Sequence, residues 1–218
     1  MLNVVLLDSW SWWFMVFVVK FGGSLIDSAR GVVGELVEYA KSSRRSILIV
    51  PGGGVFAETV RGVDARLGLS PDVSHWMAVL GMEQYGLLLC DGTGATPVRE
   101  KPDGTGVFVL LACQLLHRSD ELEHSWAVTG DTIAAWVADK YESPLIKATD
   151  VEGIYIGGEI VGEICASRLS GLETCVDAEL PRFLSSHGLD CRVVSGRSVE
   201  PLIMAIEEDY GGTLIRGC

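Results

Sequence analysis

Apolar residues recur along this chain in two alternating rhythms. Short runs rich in β-branched residues, "VFVVK" (16–20) and "SILIV" (46–50), have the density of strands buried on both faces. Between them, Val32, Val33, Leu36, Val37 and Tyr39–Ala40 fall on one face of a helix over about 29–43. "VFAETVRGVDARLG" reads as a helix stopped by Gly68. Ser70 as N-cap and Pro71 at the first helical position then open a helix through "SHWMAVLGMEQYGLLL". Strands are expected near 95–99 and 106–111, a helix from Asp131 to about Tyr141, and a strand over 144–149. "GIYIGGEIV" predicts a hairpin pivoting on Gly157–Gly158. A helix near 178–187, the strand "CRVVS", a helix from Ser198 and a last strand "GTLIRG" complete the pattern. Strand–helix alternation of this kind predicts an α/β fold with a mostly parallel sheet and helices on both faces. The ligand crevice is then expected at the carboxyl ends of the strands.

The totals narrow this picture. A chain of 218 residues builds one large domain or two small ones, and no repeat, low-complexity linker or clean boundary divides it. The formal net charge of −12 argues against a nucleic-acid backbone as partner, but leaves room for a local basic pocket. Six scattered cysteines without a C-x-x-C pair, and four isolated histidines, show no zinc spacing. Reduced thiols in a cytoplasmic protein are expected from them. The opening "MLNVVLLDSWSWWF" is almost uncharged and holds three of the six tryptophans, yet has neither the basic region nor the cleavage site of a signal peptide. Polar residues interrupt it as a membrane span. Residues 1–14 are expected to be an extension before a natural start at Met15, with an apolar arm for subunit contact as the alternative.

The chemistry gathers at strand ends. "KFGGS" places Lys20 at the mouth of a strand beside bare backbone, a loop suited to an anion held by N–H groups and a cation. The lysine precedes the glycines, so this is not the Walker A order. "PGGG" closes the next strand, and three successive glycines (Gly52, Gly53, Gly54) point to close approach of a ligand to backbone. Three further segments are individually unremarkable. "EHSWAVTGD" sets Thr129 or Asp131 as an N-cap, "IKATDVEGIY" ends a strand on Lys147, and "VSGRSVEP" ends another at Gly196.

In this order, the segments resemble the amino acid kinase family over residues 16 to about 216. The resemblance implies a three-layer α-β-α sandwich over 15–218 and ATP-dependent phosphoryl transfer. It makes Lys20, Lys147 and Asp131 catalytic, with the carboxylate between the two amines. Gly22, Gly23 and Ser24 would cradle the ATP phosphates, and Asp150, Gly153, Tyr155 and Gly196 would border the nucleotide. Gly52, Gly53 and Gly54 would face the acceptor. Mg²⁺ would ride mainly on ATP oxygens, without a metal site built from protein carboxylates. "SHWMAVLGMEQYG" and "EHSWAVT" are similar to members that phosphorylate [5-(aminomethyl)furan-3-yl]methyl phosphate in archaeal methanofuran biosynthesis. For such an acceptor, Arg61 is the expected phosphate contact, and Glu58 or Glu83 the partner of the amine. An isopentenyl phosphate or nucleoside monophosphate kinase, or a nucleotide-binding protein without turnover, are the alternatives. A homo-oligomer without membrane or nucleic-acid partners is expected.

Overall fold

Buried β-branched runs form the centre of the sheet. The computed structural model describes residues 15–218, so the expected extension over 1–14 lies outside the described residues. Val16–Phe21 (β1) is buried at every position and pairs in parallel with Ser46–Pro51 (β2) on one side and Leu145–Thr149 (β5) on the other. Gly106–Leu110 (β4) and Thr96–Val98 (β3) extend the sheet beyond β2, and Cys191–Ser195 (β9) extends it beyond β5, all in parallel. Thr213–Arg216 (β10) then turns antiparallel to β9, and Glu163–Cys165 (β8) closes that edge. The eight-stranded order is β3-β4-β2-β1-β5-β9-β10-β8. Tyr155–Ile156 (β6) and Glu159–Ile160 (β7) form the separate hairpin expected around Gly157–Gly158.

Alternation along β1 splits the core into two layers. Val16 and Val18 point to the face covered by Gly130–Lys140 (α5) and Leu180–His187 (α6). Phe17, Val19 and Phe21 point to the opposite face, covered by Ala29–Ser43 (α1) and Glu200–Glu208 (α7). Pro71–Cys90 (α3) contributes Val79 and Met82 to the first layer and Tyr85 and Leu89 to the second. Gly54–Leu67 (α2) packs chiefly against α3. The result is the expected α/β sandwich with a mostly parallel central sheet. Two elements have no clear periodic signal: Cys113–Ser119 (α4), which is seven residues long, and the three-residue edge strand β8. Among the described residues, no helix is long and apolar enough to cross a membrane.

One cysteine expectation is corrected. Because β10 runs parallel to β8, it carries Cys218 to the carboxyl end of that edge strand. Cys218 and Cys165 form a disulfide there, their Cα atoms 5.4 Å apart. The partners are 53 residues apart in sequence, so spacing does not announce them. Cys90, Cys113, Cys175 and Cys191 are free.

The two glycine loops touch each other. A Cβ on Gly23 would stand 2.2 Å from the Gly54 Cα, and Gly54 itself has a φ of +51°. By contrast, a Cβ on Gly31 in α1 would meet nothing within 4 Å. Gly23→Ala is therefore expected to lower stability by about 1–3 kcal/mol by forcing the loops apart. Gly31→Ala should raise it by up to ~1 kcal/mol through helix propensity. Urea titrations of both variants check the contrast, and equal midpoints would contradict this account of the loops.

Candidate active site

Strand register builds the centre of the site. Lys20 on β1 lies directly opposite Lys147 on β5, and both side chains leave the sheet on the face covered by α5. Unscreened, two ammonium groups this close would repel strongly. The first turn of α5 meets them with Asp131. Its Oδ1 lies 2.7 Å from Lys20 Nζ and 2.6 Å from Lys147 Nζ, and its Oδ2 lies 2.6 Å from Lys147 Nζ. All three are buried, with residue exposures of 9% for Lys20, 5% for Asp131 and 3% for Lys147. Burial pulls Lys20 below its ordinary lysine value, even against the attraction of Asp131. Lys147 is also penalised by burial, but the charge and hydrogen bonds of Asp131 outweigh this and raise it. Burial works against the charge of Asp131 too, yet the two lysines hold it well below the usual carboxylate range.

A residue that the sequence does not flag holds this carboxylate in place. The backbone N–H of Asp177 donates to Asp131 Oδ2 at 3.0 Å. The Asp177 carboxylate accepts from the backbone N–H and hydroxyl of both Thr129 and Thr132, at 2.7–3.0 Å, and from Leu180 N–H at 2.8 Å. Of the two residues expected as N-cap of α5, Thr129 is the one at that position. It has no side-chain cap bond there, and Asp131 is engaged by the lysines. Asp177 satisfies the helix end from a distant segment.

Around this centre lies a cavity of about 440 Å³. Lys20, Gly22, Gly23, Ser24, Gly52, Gly53, Gly54, Glu58, Arg61, Asp131, Lys147 and Asp150 all line it. Arg197 Nε donates to the Asp150 backbone carbonyl at 2.8 Å and ties two strand-end loops together. The other expected site residues stand outside this lining. Gly153 is packed against Thr213, and Gly196 against Leu25 and Ala148. Tyr155 is exposed on the hairpin and donates its hydroxyl to Glu152 at 2.6 Å. Glu83 accepts from the Cys113 N–H at 2.9 Å, at the start of α4, and also stands outside the lining. Sequence reasoning missed His75, Ser125 and Trp126, which also line the cavity, although "SHWMA" and "EHSWAVT" stood out as segments.

Two buried cations on one carboxylate, flanked by backbone-lined loops, leave a net positive centre suited to a polyanion. Among the described residues, no group of three or more His, Cys, Asp or Glu could hold a metal ion. The carboxylate at the centre is committed to the lysines.

Asp131→Asn keeps the shape and removes the counter-charge, so unfolding free energy at neutral pH should drop by about 3–5 kcal/mol. Asp131 has a depressed pKa, so its contribution is complete above the ordinary carboxylate value near ~4 and fades as pH falls below it. Denaturant titrations of both proteins should show a gap that is constant from neutral pH to about 5 and narrows on further acidification. A gap independent of pH would contradict the charge assignment.

Comparison with known proteins agrees with this architecture. Residues 15–102 match the model of the amino acid kinase family. The [5-(aminomethyl)furan-3-yl]methyl phosphate kinase of Methanocaldococcus jannaschii is 32% identical over 200 residues, covering 87% of this chain and 92% of the relative. A uridylate kinase of Thermofilum pendens is 32% identical over 148 residues, 63% of each chain. Among solved structures, uridylate kinase from Archaeoglobus fulgidus superposes with a TM-score of 0.69 at 18% identity, covering 92% of this chain and 99% of that one. The chain belongs to the amino acid kinase family of phosphotransferases.

Proposed function

We propose that this protein transfers the γ-phosphoryl group of ATP to a phosphate monoester, with [5-(aminomethyl)furan-3-yl]methyl phosphate as acceptor and a diphosphate as product. The observation that carries the transfer chemistry is the Lys20–Asp131–Lys147 clamp beside two touching glycine loops in one cavity. The choice of acceptor draws on the relative from Methanocaldococcus jannaschii.

Both substrates are polyanions, and two unit charges 4 Å apart repel by about 4 kcal/mol at an effective dielectric near 20. The clamp answers this repulsion. Lys20, at the end of β1, reaches the transferring phosphoryl group from the acceptor side, and Lys147 reaches the ATP phosphates from the other. Asp131 fixes the direction of both amines. An acceptor phosphate oxygen attacks the γ-phosphorus, the bond from that phosphorus to the bridging oxygen breaks, and ADP leaves with the electron pair. An ionised phosphate needs no general base, so positioning and charge stabilisation are the protein's whole contribution. Gly22, Gly23 and Ser24 offer backbone N–H groups to the nucleotide phosphates, with Asp150, Gly153, Tyr155 and Gly196 on the nucleotide side. Gly52, Gly53 and Gly54 serve the acceptor side. Arg61 is the proposed contact for the acceptor phosphate. Mg²⁺ bound to ATP would neutralise part of the phosphate charge, and the donor set fits a cation brought in on nucleotide oxygens.

Lys20→Ala and Lys147→Ala should each lower kcat by on the order of 10²–10³, as for loss of one transition-state donor. Wild-type-like turnover in either variant would rule out the clamp mechanism. The acceptor is tested by supplying labelled ATP with the furan phosphate, uridine monophosphate or isopentenyl phosphate in parallel. The furan is expected to give the highest kcat/KM. Preference for uridine monophosphate would move this chain to the specificity named for the Thermofilum pendens relative. ATP binding without product from any acceptor would make it a non-catalytic nucleotide-binding protein.

A further inference from the structure

The segment that carries Asp177 is cavity wall and clamp support at once. Thr174, Cys175, Val176 and Asp177 line the cavity, and the chain then enters α6 at Leu180. Two ties fix this segment to the chain around the start of α5. The Glu179 N–H donates to the Ala127 carbonyl at 3.3 Å, and the Asp177 carboxylate bridges the first turns of α5 and α6. Its Oδ2 accepts from the Thr129 N–H, the Thr129 hydroxyl and the Thr132 N–H. Its Oδ1 accepts from the Thr132 hydroxyl and the Leu180 N–H. Among the described residues, no hydrogen bond or ion pair joins this carboxylate to either clamp lysine. So anchored, the Asp177 backbone has little freedom, and that backbone presents the N–H to Asp131 Oδ2 at 3.0 Å.

That one N–H has a directional consequence. Asp131 Oδ1 is shared by Lys20 and Lys147, whereas Oδ2 meets Lys147 and the Asp177 N–H. The carboxylate torsion of an aspartate is broad, so its direction is set by the groups around it. Lys20 has one contact with the carboxylate and Lys147 has two. Lys20 is therefore the amine that a turned carboxylate would leave first.

The groups facing the two lysines leave Asp131 as their counter-charge. Besides Asp131 from α5 and each other across β1 and β5, the lysines feel Cys175 from the Asp177 segment and Cys191 from β9. Burial pushes both thiols up, Cys191 to about 12, so neither is an anion near neutral pH. Glu58, Arg61 and Asp150 line the same cavity without an ion pair to either lysine among the described residues.

We propose that Asp177 is a positioning residue for phosphoryl transfer: its side chain locks its own backbone N–H against Asp131 and so aims that carboxylate at Lys20. It touches no reacting atom and acts through Asp131. The consequence for turnover rests on the reading of the protein as a kinase, while the consequence for the lysines rests on the clamp geometry.

The test reads turnover and the lysines separately. In Asp177→Ala, kcat should fall about 10- to 100-fold, the range for a misplaced catalytic group, with KM for ATP and acceptor unchanged. The alkaline limb of the kcat–pH profile should move to lower pH, because an amine that loses part of its counter-charge releases its proton more readily. An NMR titration of isotope-labelled lysine in the unliganded protein should move the same way. Asp177→Asn has one acceptor oxygen in place of two and should restore part of both losses. Trp136→Phe loses the indole bond to Glu121 farther along α5, so it loosens the same helix and should leave the limb and the titration in place. Wild-type kcat or an unshifted lysine titration in Asp177→Ala would overturn the proposal. A matching shift in Trp136→Phe would also overturn it, as general loosening of α5. If Asp177→Ala does not fold, Asp177→Asn decides, and an unshifted titration there overturns the proposal. No wild-type turnover of any phosphate monoester would overturn the kinase reading instead, and the lysine titration would still decide whether Asp177 aims the clamp.

Discussion

Two lysines on adjacent strands can be buried side by side only because one carboxylate stands between them. That constraint organises the rest of the site. Register sets Lys20 opposite Lys147, so the counter-charge must arrive from the helix layer, and it must arrive at a helix start where a side chain can reach the strand ends. The run of small residues that opens α5, with Ala134, Ala135 and Ala138 wholly buried, lets this helix lie close to the sheet. Asp177 completes the arrangement by capping α5 while its own N–H grips Asp131. The clamp is therefore held by four separate chain segments, β1, β5, α5 and the one that carries Asp177. A net positive charge remains after the internal pairing, and burial has already pulled Lys20 below its ordinary value. An arriving polyanion relieves both.

The glycine loops follow from the same geometry. Beside the lysines at the strand ends, a Cβ on Gly23 or Gly52 would collide with the facing loop. Gly23 and Gly54 are in contact backbone to backbone, which brings the N–H-rich ends of β1 and β2 together in one cavity. His75 and Trp126 bring an imidazole and an indole to the same wall as lysine and bare backbone. A family built on one transfer centre can vary its acceptor through such a wall without touching the clamp.

Much of the fold was legible in the chain. The β-branched runs ending at Lys20, Val50 and Thr149, and the helix that begins at Ser70–Pro71, stand where hydrophobic periodicity and capping predict. Short elements escaped. Seven residues of α4 and three of β8 are too few for a period to emerge, and they hold their shape through neighbours. Of the site, the glycine loops announced themselves by composition. Lys147 and Asp131 became visible only through the order of segments shared with a family. Glu83 looked as suitable as Glu58 in sequence, yet its carboxylate is committed to the Cys113 N–H.

The sequence by itself determined which segments are strands and helices, where backbone is stripped for ligand approach, and that a lysine stands at the first strand's mouth. These are local properties, written in periods of two and 3.6 residues and in single-residue conformational preference. Tertiary structure alone decided which distant groups meet. Asp177 reaches Asp131 across 46 residues, Trp126 reaches Asp64 across 62, and Cys218 reaches Cys165 across 53. Such pairings depend on strand order and helix placement, which no local pattern encodes.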